Sequence, residues 1–113
     1  MLLLLACTCV CHAADLGYGD LSSFGGNPTS ETPRLDQLVT EGMRFVSMYS
    51  ASPVCSPSRS SLLSGRLMTR NGVWPGVFGP SSVGGLALNE TTLPSLLRAG
   101  GYETYMAGES TNQ

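Results

Sequence analysis

The chain predicts an α/β domain, a mostly parallel sheet with flanking helices, and three observations carry that prediction. Apolar segments follow one another in the order strand, helix, strand, helix, helix, strand, the alternation of a parallel sheet with crossover helices. Two of the helical segments open on threonine and proline, Thr32-Pro33 and Thr92 with Pro94, the residues that cap and begin a helix. Glycine stands where each of those segments should stop, at Gly42 and at Gly100-Gly101.

Composition narrows the class. The 113 residues suit one small domain, and 42% of them are apolar. Only 12% are charged, against about 25% in ordinary soluble domains, so much of this surface is built to be covered. The net charge is −2, and the six basic residues, all arginine, form no cluster. That excludes a nucleic-acid partner, which requires a basic footprint to neutralise phosphates. The 14 glycines and 7 prolines lie scattered between periodic segments and mark turns and caps, and no internal repeat is present.

Taken in order, the first element is "MLLLLACTCVCHAADLG", with two open readings. As a secretory signal it has an apolar stretch from Leu2 to Val10 and small residues near Ala13, without a basic residue after Met1. As a strand it is an apolar run delivering a carboxylate, Asp15, to a ligand loop. Residues 1–13 are thus a signal peptide or a residual first strand. No transmembrane segment is expected, because a span needs about 20 apolar residues. Cys7, Cys9 and Cys11 alternate, as a soft-metal or redox site or as small apolar filler. Filler is the preferred reading, since no outside ligand completes a tetrahedral set.

The next helix runs from Thr32 with Leu35, Leu38 and Val39 on one face and Gly42 closing it. "MRFVSMY", Met43 to Tyr49, then reads as a strand, followed by the polar turn "SASPV". A short helix follows Cys55. "GVWPGVFGPSSVGG" is a loop with Trp74 and Phe78 as anchors. Leu93, Leu96 and Leu97 line the last helix, and "YETYMAG" reads as a further strand. Ligand sites in such sheets lie at the carboxyl ends of strands, where Asp15 and Cys55 fall. Asn89-Glu90-Thr91 is an N-glycosylation sequon, which accords with a secretory route.

The chemistry concentrates in "CSPSRSSLLSGR". Ser56 can serve as helix N-cap with Pro57 as first helical residue, so the amides of the first turn face whatever sits on Cys55. A helix N-terminus favours an oxyanion such as sulfate or phosphate. Arg59, one turn on, adds a planar set of donors, and Gly65 with Arg66 ends the helix. The plainer alternative is a buried cysteine beside an ordinary capped helix with a solvated arginine. A Cys-His pair is not available locally, since the one histidine is His12 in the apolar leader. The residues alone leave the two readings open.

The same twelve residues resemble the signature of the sulfatase family, Cys-x-Pro-Ser-Arg followed by x-x-Leu-x-Thr/Ser-Gly-Arg. The similarity runs from about Asp15 to Gly108. "ADLGYGDLSSFG" is similar to the loop after the family's first strand, "TPRLDQLVTEGMRF" to its first helix and second strand, and "LLRAGGYETYMAG" to the segment before its next catalytic motif. The resemblance is to the N-terminal part of an arylsulfatase. It implies an alkaline-phosphatase-like α/β sandwich, truncated here, with residues 14–108 the N-terminal portion of the domain and 109–113 a divergent tail.

It also implies a chemistry: sulfuric ester hydrolysis. In the family this cysteine is oxidised to formylglycine by a generating enzyme of the endoplasmic reticulum that reads Cys-x-Pro-x-Arg. The hydrated aldehyde attacks the sulfur of a sulfate ester, the alcohol leaves, and the second hydroxyl expels sulfate. Calcium and basic side chains activate the diol, which explains a cysteine without a histidine beside it. By this resemblance Cys55 and Arg59 are catalytic, and Asp15 and the modified Cys55 are calcium ligands. The partners implied are a sulfate ester and the formylglycine-generating enzyme, and the location is the secretory pathway, lysosomal or secreted.

The chain departs from the pattern in two places. Ala14-Asp15 stands where the family has Asp-Asp, and Glu109-Ser110-Thr111 follows Ala107-Gly108 where the family has Lys-Trp-His. These departures make a truncated, inactive sulfatase-family product the expectation. The alternative is a non-catalytic secreted binding or decoy module that engages the formylglycine-generating enzyme.

Overall fold

The computed structural model describes residues 8–13, 16–25, 31–79 and 81–108. The chain divides into two compact units, Met1–Val46 and Ser47–Gln113.

In the first unit, "GYGDLSSFG" folds into two 3-10 turns, Tyr18–Asp20 and Ser22–Phe24, ahead of helix α1, Pro33–Glu41. Thr32 stands at the N-cap and Pro33 at the first helical position, as their types require. The Thr32 hydroxyl does not cap the helix. It pairs instead with Ser22 Oγ at 2.8 Å. Asp36, one turn into α1, accepts from the Ser22 hydroxyl and from Ser23 N–H, the latter at 3.0 Å. The hydrogen bond from Ser22 holds the Asp36 carboxyl below the usual carboxylate value, opposed by partial desolvation. Arg44 reaches back to the Ser23 carbonyl at 2.7 Å and lies over the Phe24 ring. Gly42 closes α1 in an extended conformation (φ −117°), with its N–H on the Leu38 carbonyl at 2.9 Å. A Cβ on Gly42 would lie 2.9 Å from that same oxygen, so the close approach requires glycine.

The second unit holds α2 (Cys55–Ser64), α3 (Met68–Asn71) and α4 (Leu93–Ala99). α4 carries the expected cap as a box: Ser95 N–H donates to Thr92 Oγ1 at 3.4 Å and Thr92 N–H to Ser95 Oγ at 2.9 Å. α2 ends at Gly65 in the left-handed region (φ 64°), its N–H on the Ser61 carbonyl.

Two expectations fail among the described residues. No strand forms over Met43–Tyr49, over Tyr102–Gly108 or over residues 8–13. The ladder bonds of a parallel strand all run to neighbours that are distant in sequence. Here Met43, Phe45, Val46, Met48 and Tyr49 are exposed instead of packed. Nor does Trp74 anchor its loop, being 58% exposed. The fully buried hydrophobic residue is its neighbour Val73, fixed by a hydrogen bond from its N–H to Asn71 Oδ1 at 3.1 Å. The rest of the buried set is mostly polar: Ser52, Ser56, Ser60, Ser61 and Asn71.

Candidate functional site

Cys55 owes its position to the turn before it. Ser52 is buried, and its Oγ accepts from Val54 N–H at 3.4 Å while its carbonyl takes the Ser50 hydroxyl at 2.8 Å. Val54 is thereby held extended (φ −124°, ψ 155°) and becomes the N-cap of α2, with Ser58 N–H on its carbonyl at 3.2 Å. The helix therefore begins at Cys55 itself, two positions earlier than Ser56 as N-cap would give. Cys55 takes N1, Ser56 N2 and Pro57 N3. Proline at N3 has no N–H to offer, so the first-turn amides are those of Cys55 and Ser56.

The two faces of α2 have opposite environments. Cys55 is an exposed free thiol, which removes the reading of it as a buried structural cysteine. Arg59 is half-buried and, four residues on, shares the Cys55 face of the helix. The other face is buried serine. Ser56 is fully buried, and its Oγ accepts from Phe78 N–H at 3.0 Å, which brings the Gly- and Pro-rich loop against the first turn of α2. The hydroxyl read as a cap thus ties down a loop, and Phe78, half-buried, does act as an anchor.

Asn71, at the end of α3, was not singled out by its sequence. It is 3% exposed, and its Nδ2 donates to Ser60 Oγ at 3.2 Å and Ser64 Oγ at 3.1 Å. Its Oδ1 takes the Val73 N–H. One amide side chain therefore joins α2, α3 and the following loop. Asn-Gly reads as a turn dipeptide, and the signal that would have found it is the pair of serines facing it at positions 60 and 64.

At the far end of the helix, Arg66 pairs with Glu90, whose side chain is 11% exposed, and donates to the Arg70 carbonyl at 3.1 Å. Asn89, next to Glu90, is exposed in the turn before α4. α2 is 10 residues long, about 15 Å, so that turn is fixed to the end opposite Cys55.

Asp15 lies outside the described residues. Among those described, no group of three or more His, Cys, Asp or Glu side chains is placed to hold a metal ion. Cys9 and Cys11 are exposed with their sulfurs 3.6 Å apart, and Cys7 lies outside the described residues. No helix among the described residues is long and apolar enough to cross a membrane.

Comparison with known proteins gives this arrangement a context. The sulfatase family profile matches residues 13–113. Arylsulfatase A of Bos taurus is 55% identical over 97 residues, which cover 86% of this chain and 19% of the bovine protein. Arylsulfatase A of Homo sapiens is 54% identical over the same length, with the same shares covered. Arylsulfatase G of Rattus norvegicus is 52% identical over 97 residues, covering 86% of this chain and 18% of the rat protein. The chain spans about a fifth of the length of the curated relatives it matches.

Proposed function

Because this chain belongs to the sulfatase family, we propose that Cys55 and Arg59 form the nucleophile-bearing part of a sulfuric ester hydrolase site. The observation that carries this reading is the placement of Cys55: exposed, at the first residue of α2, with the intact Cys-x-Pro-x-Arg stretch wound into the turn behind it. The exposed Cys55 thiol is open to the formylglycine-generating enzyme, and the modified residue 55 supplies the attacking hydroxyl. Arg59 orients that residue and the sulfate oxygens with its fixed fork of donors. The Cys55 and Ser56 amides face an anion at the same helix end. Ser56 and Asn71 act behind them, holding the helix so that neither residue drifts.

Calcium, which the family uses, does not fit the described residues alone. It takes six to eight oxygens, and no carboxylate cluster is present among them. Asp15 is proposed as one ligand, and the others must come from outside these residues. The substrate class proposed is a sulfate ester, and the setting is the secretory pathway, lysosomal or secreted, where the generating enzyme acts. The family's alkaline-phosphatase-like sheet is proposed to form when residues 43–49 and 102–108 gain neighbours to pair with.

Mass analysis of the peptide spanning residue 55 tests the reading, in chain shown to have reached the endoplasmic reticulum by removal of an appended leader. The aldehyde or its hydrate is expected, and Arg59→Ala should reduce it by roughly 10- to 100-fold, as losing a charge-assisted contact does. Thiol alone in such material overturns the proposal. For turnover, residues 1–108 carrying Ala14→Asp and followed by the remainder of a sulfatase domain should hydrolyse an aryl sulfate and lose that activity on Cys55→Ala. Hydrolysis by the 113 residues on their own would contradict the assignment of further ligands to other residues.

A further inference from the structure

The turn before α4 bears a motif that the hydrolase reading leaves unused. Glu90 N–H donates to the Ala87 carbonyl at 2.9 Å, closing a tight turn with Leu88 and Asn89 at its tip. Leu88 is fully exposed, and Asn89 and Thr91 are both exposed. Glu90, between them, turns the other way: its side chain is 11% exposed and ion-paired with Arg66. The fold therefore grips the middle residue of Asn89-Glu90-Thr91 and presents the two outer ones. An acceptor asparagine needs a hydroxyl two residues on and any residue but proline between. The chain's other Asn-x-Thr, Asn27-Pro28-Thr29, fails on the second requirement.

We propose that Asn89 is a site of N-linked glycosylation. In the transfer, Asn89 Nδ2 forms a bond to the anomeric carbon of a lipid-diphosphate-linked oligosaccharide. The bond from that carbon to the diphosphate oxygen breaks, its electron pair leaves with the lipid diphosphate, and the amide proton passes to a base of the transferase. The product is a large hydrophilic group on the turn, fixed to the end of α2 opposite Cys55, where it leaves the approach to Cys55 open. The inference rests on the hydrolase reading only for access to the secretory lumen.

The test supplies that access. The full 113-residue chain, behind an appended cleavable leader, is translated with microsomes from the endoplasmic reticulum, and protease-protected product is analysed by gel mobility with and without a glycan-releasing amidase. One retarded band is expected, returned to the unmodified position by the amidase. Asn89→Gln and Thr91→Ala should abolish it, and Asn27→Gln and Cys55→Ala should leave it intact. Protected chain with no retarded band, or retardation that survives in Asn89→Gln, overturns the proposal. A glycan present with only thiol at residue 55 would sink the hydrolase reading and leave this one standing.

Discussion

Two polar clasps hold helices to their neighbours in this chain, one around Asp36 and one around Asn71, and their surroundings differ. In the first unit, Asp36 gathers Ser22, Ser23 and Thr32 at a half-exposed surface, so that two 3-10 turns lie against the start of α1. In the second, Asn71 gathers Ser60, Ser64 and Val73 N–H in an interior where Ser60 and Val73 are wholly buried. The bonds look alike on paper. Broken bonds near the surface are replaced by bonds to water, whereas a group orphaned in the interior bears its full desolvation cost. The clasp beneath the candidate site is therefore the stiffer of the two, although it contains no charged group.

Asn71→Ala is the largest expected effect. It removes the donors to Ser60 and Ser64 and leaves the Val73 N–H buried without its acceptor. An orphaned buried group costs about 1–3 kcal/mol, so exchange of the Val73 amide with solvent should accelerate roughly 10- to 100-fold. Thr32→Ala, at the rim of the Asp36 clasp, should change exchange of Ser23 N–H far less. Equal responses in the two regions would show that burial does not set the difference.

The serine face also predicts a change of opposite sign. Ser61 is 8% exposed, and its Oγ has no hydrogen-bond partner. Ser61→Ala removes that orphan and improves helix propensity, a gain of about 0.5–1 kcal/mol. Exchange of the α2 amides should slow by roughly two- to fivefold. Faster exchange would mean that Ser61 Oγ has a partner after all.

How much of this was legible depends on how local each cause is. α1 and α4 were readable because Thr32-Pro33, Thr92 with Pro94, Gly42 and Gly100 act within a turn of themselves. α2 and its glycine stop were readable for the same reason. The start of α2 lies two residues before the one its sequence suggests, because Ser56 has two uses for its hydroxyl and the choice is made by Phe78, 22 residues away. The strands over 43–49 and 102–108 were read from composition, but a parallel strand exists only with neighbours, and none is formed among the described residues. Asn71 was passed over since Asn-Gly signals a turn whether or not the side chain is buried. At the candidate site, the residue types came from the motif, and the exposure of Cys55 came only from the fold.

The smallest expected effect separates the two clasps by pH. Asp36 titrates below the usual carboxylate value because its ionised form accepts from Ser22, Ser23 and Thr32. With the folded pKa depressed, the unfolded chain binds more protons as pH falls, so the contribution is complete above the unfolded value of about 4 and disappears as pH drops through the folded one. Following the Asp36 carboxyl carbon by NMR from about pH 6 to about pH 2, with exchange of Ser23 N–H corrected for its intrinsic rate, should show loosening only at the acid end. Asp36→Asn should flatten that profile. The Asn71 clasp is made of amide, hydroxyl and backbone groups that do not titrate in this range, so corrected exchange at Val73 should stay level while Ser23 loosens. Loosening of Val73 at the same pH as Ser23 would mean that the two clasps do not respond independently.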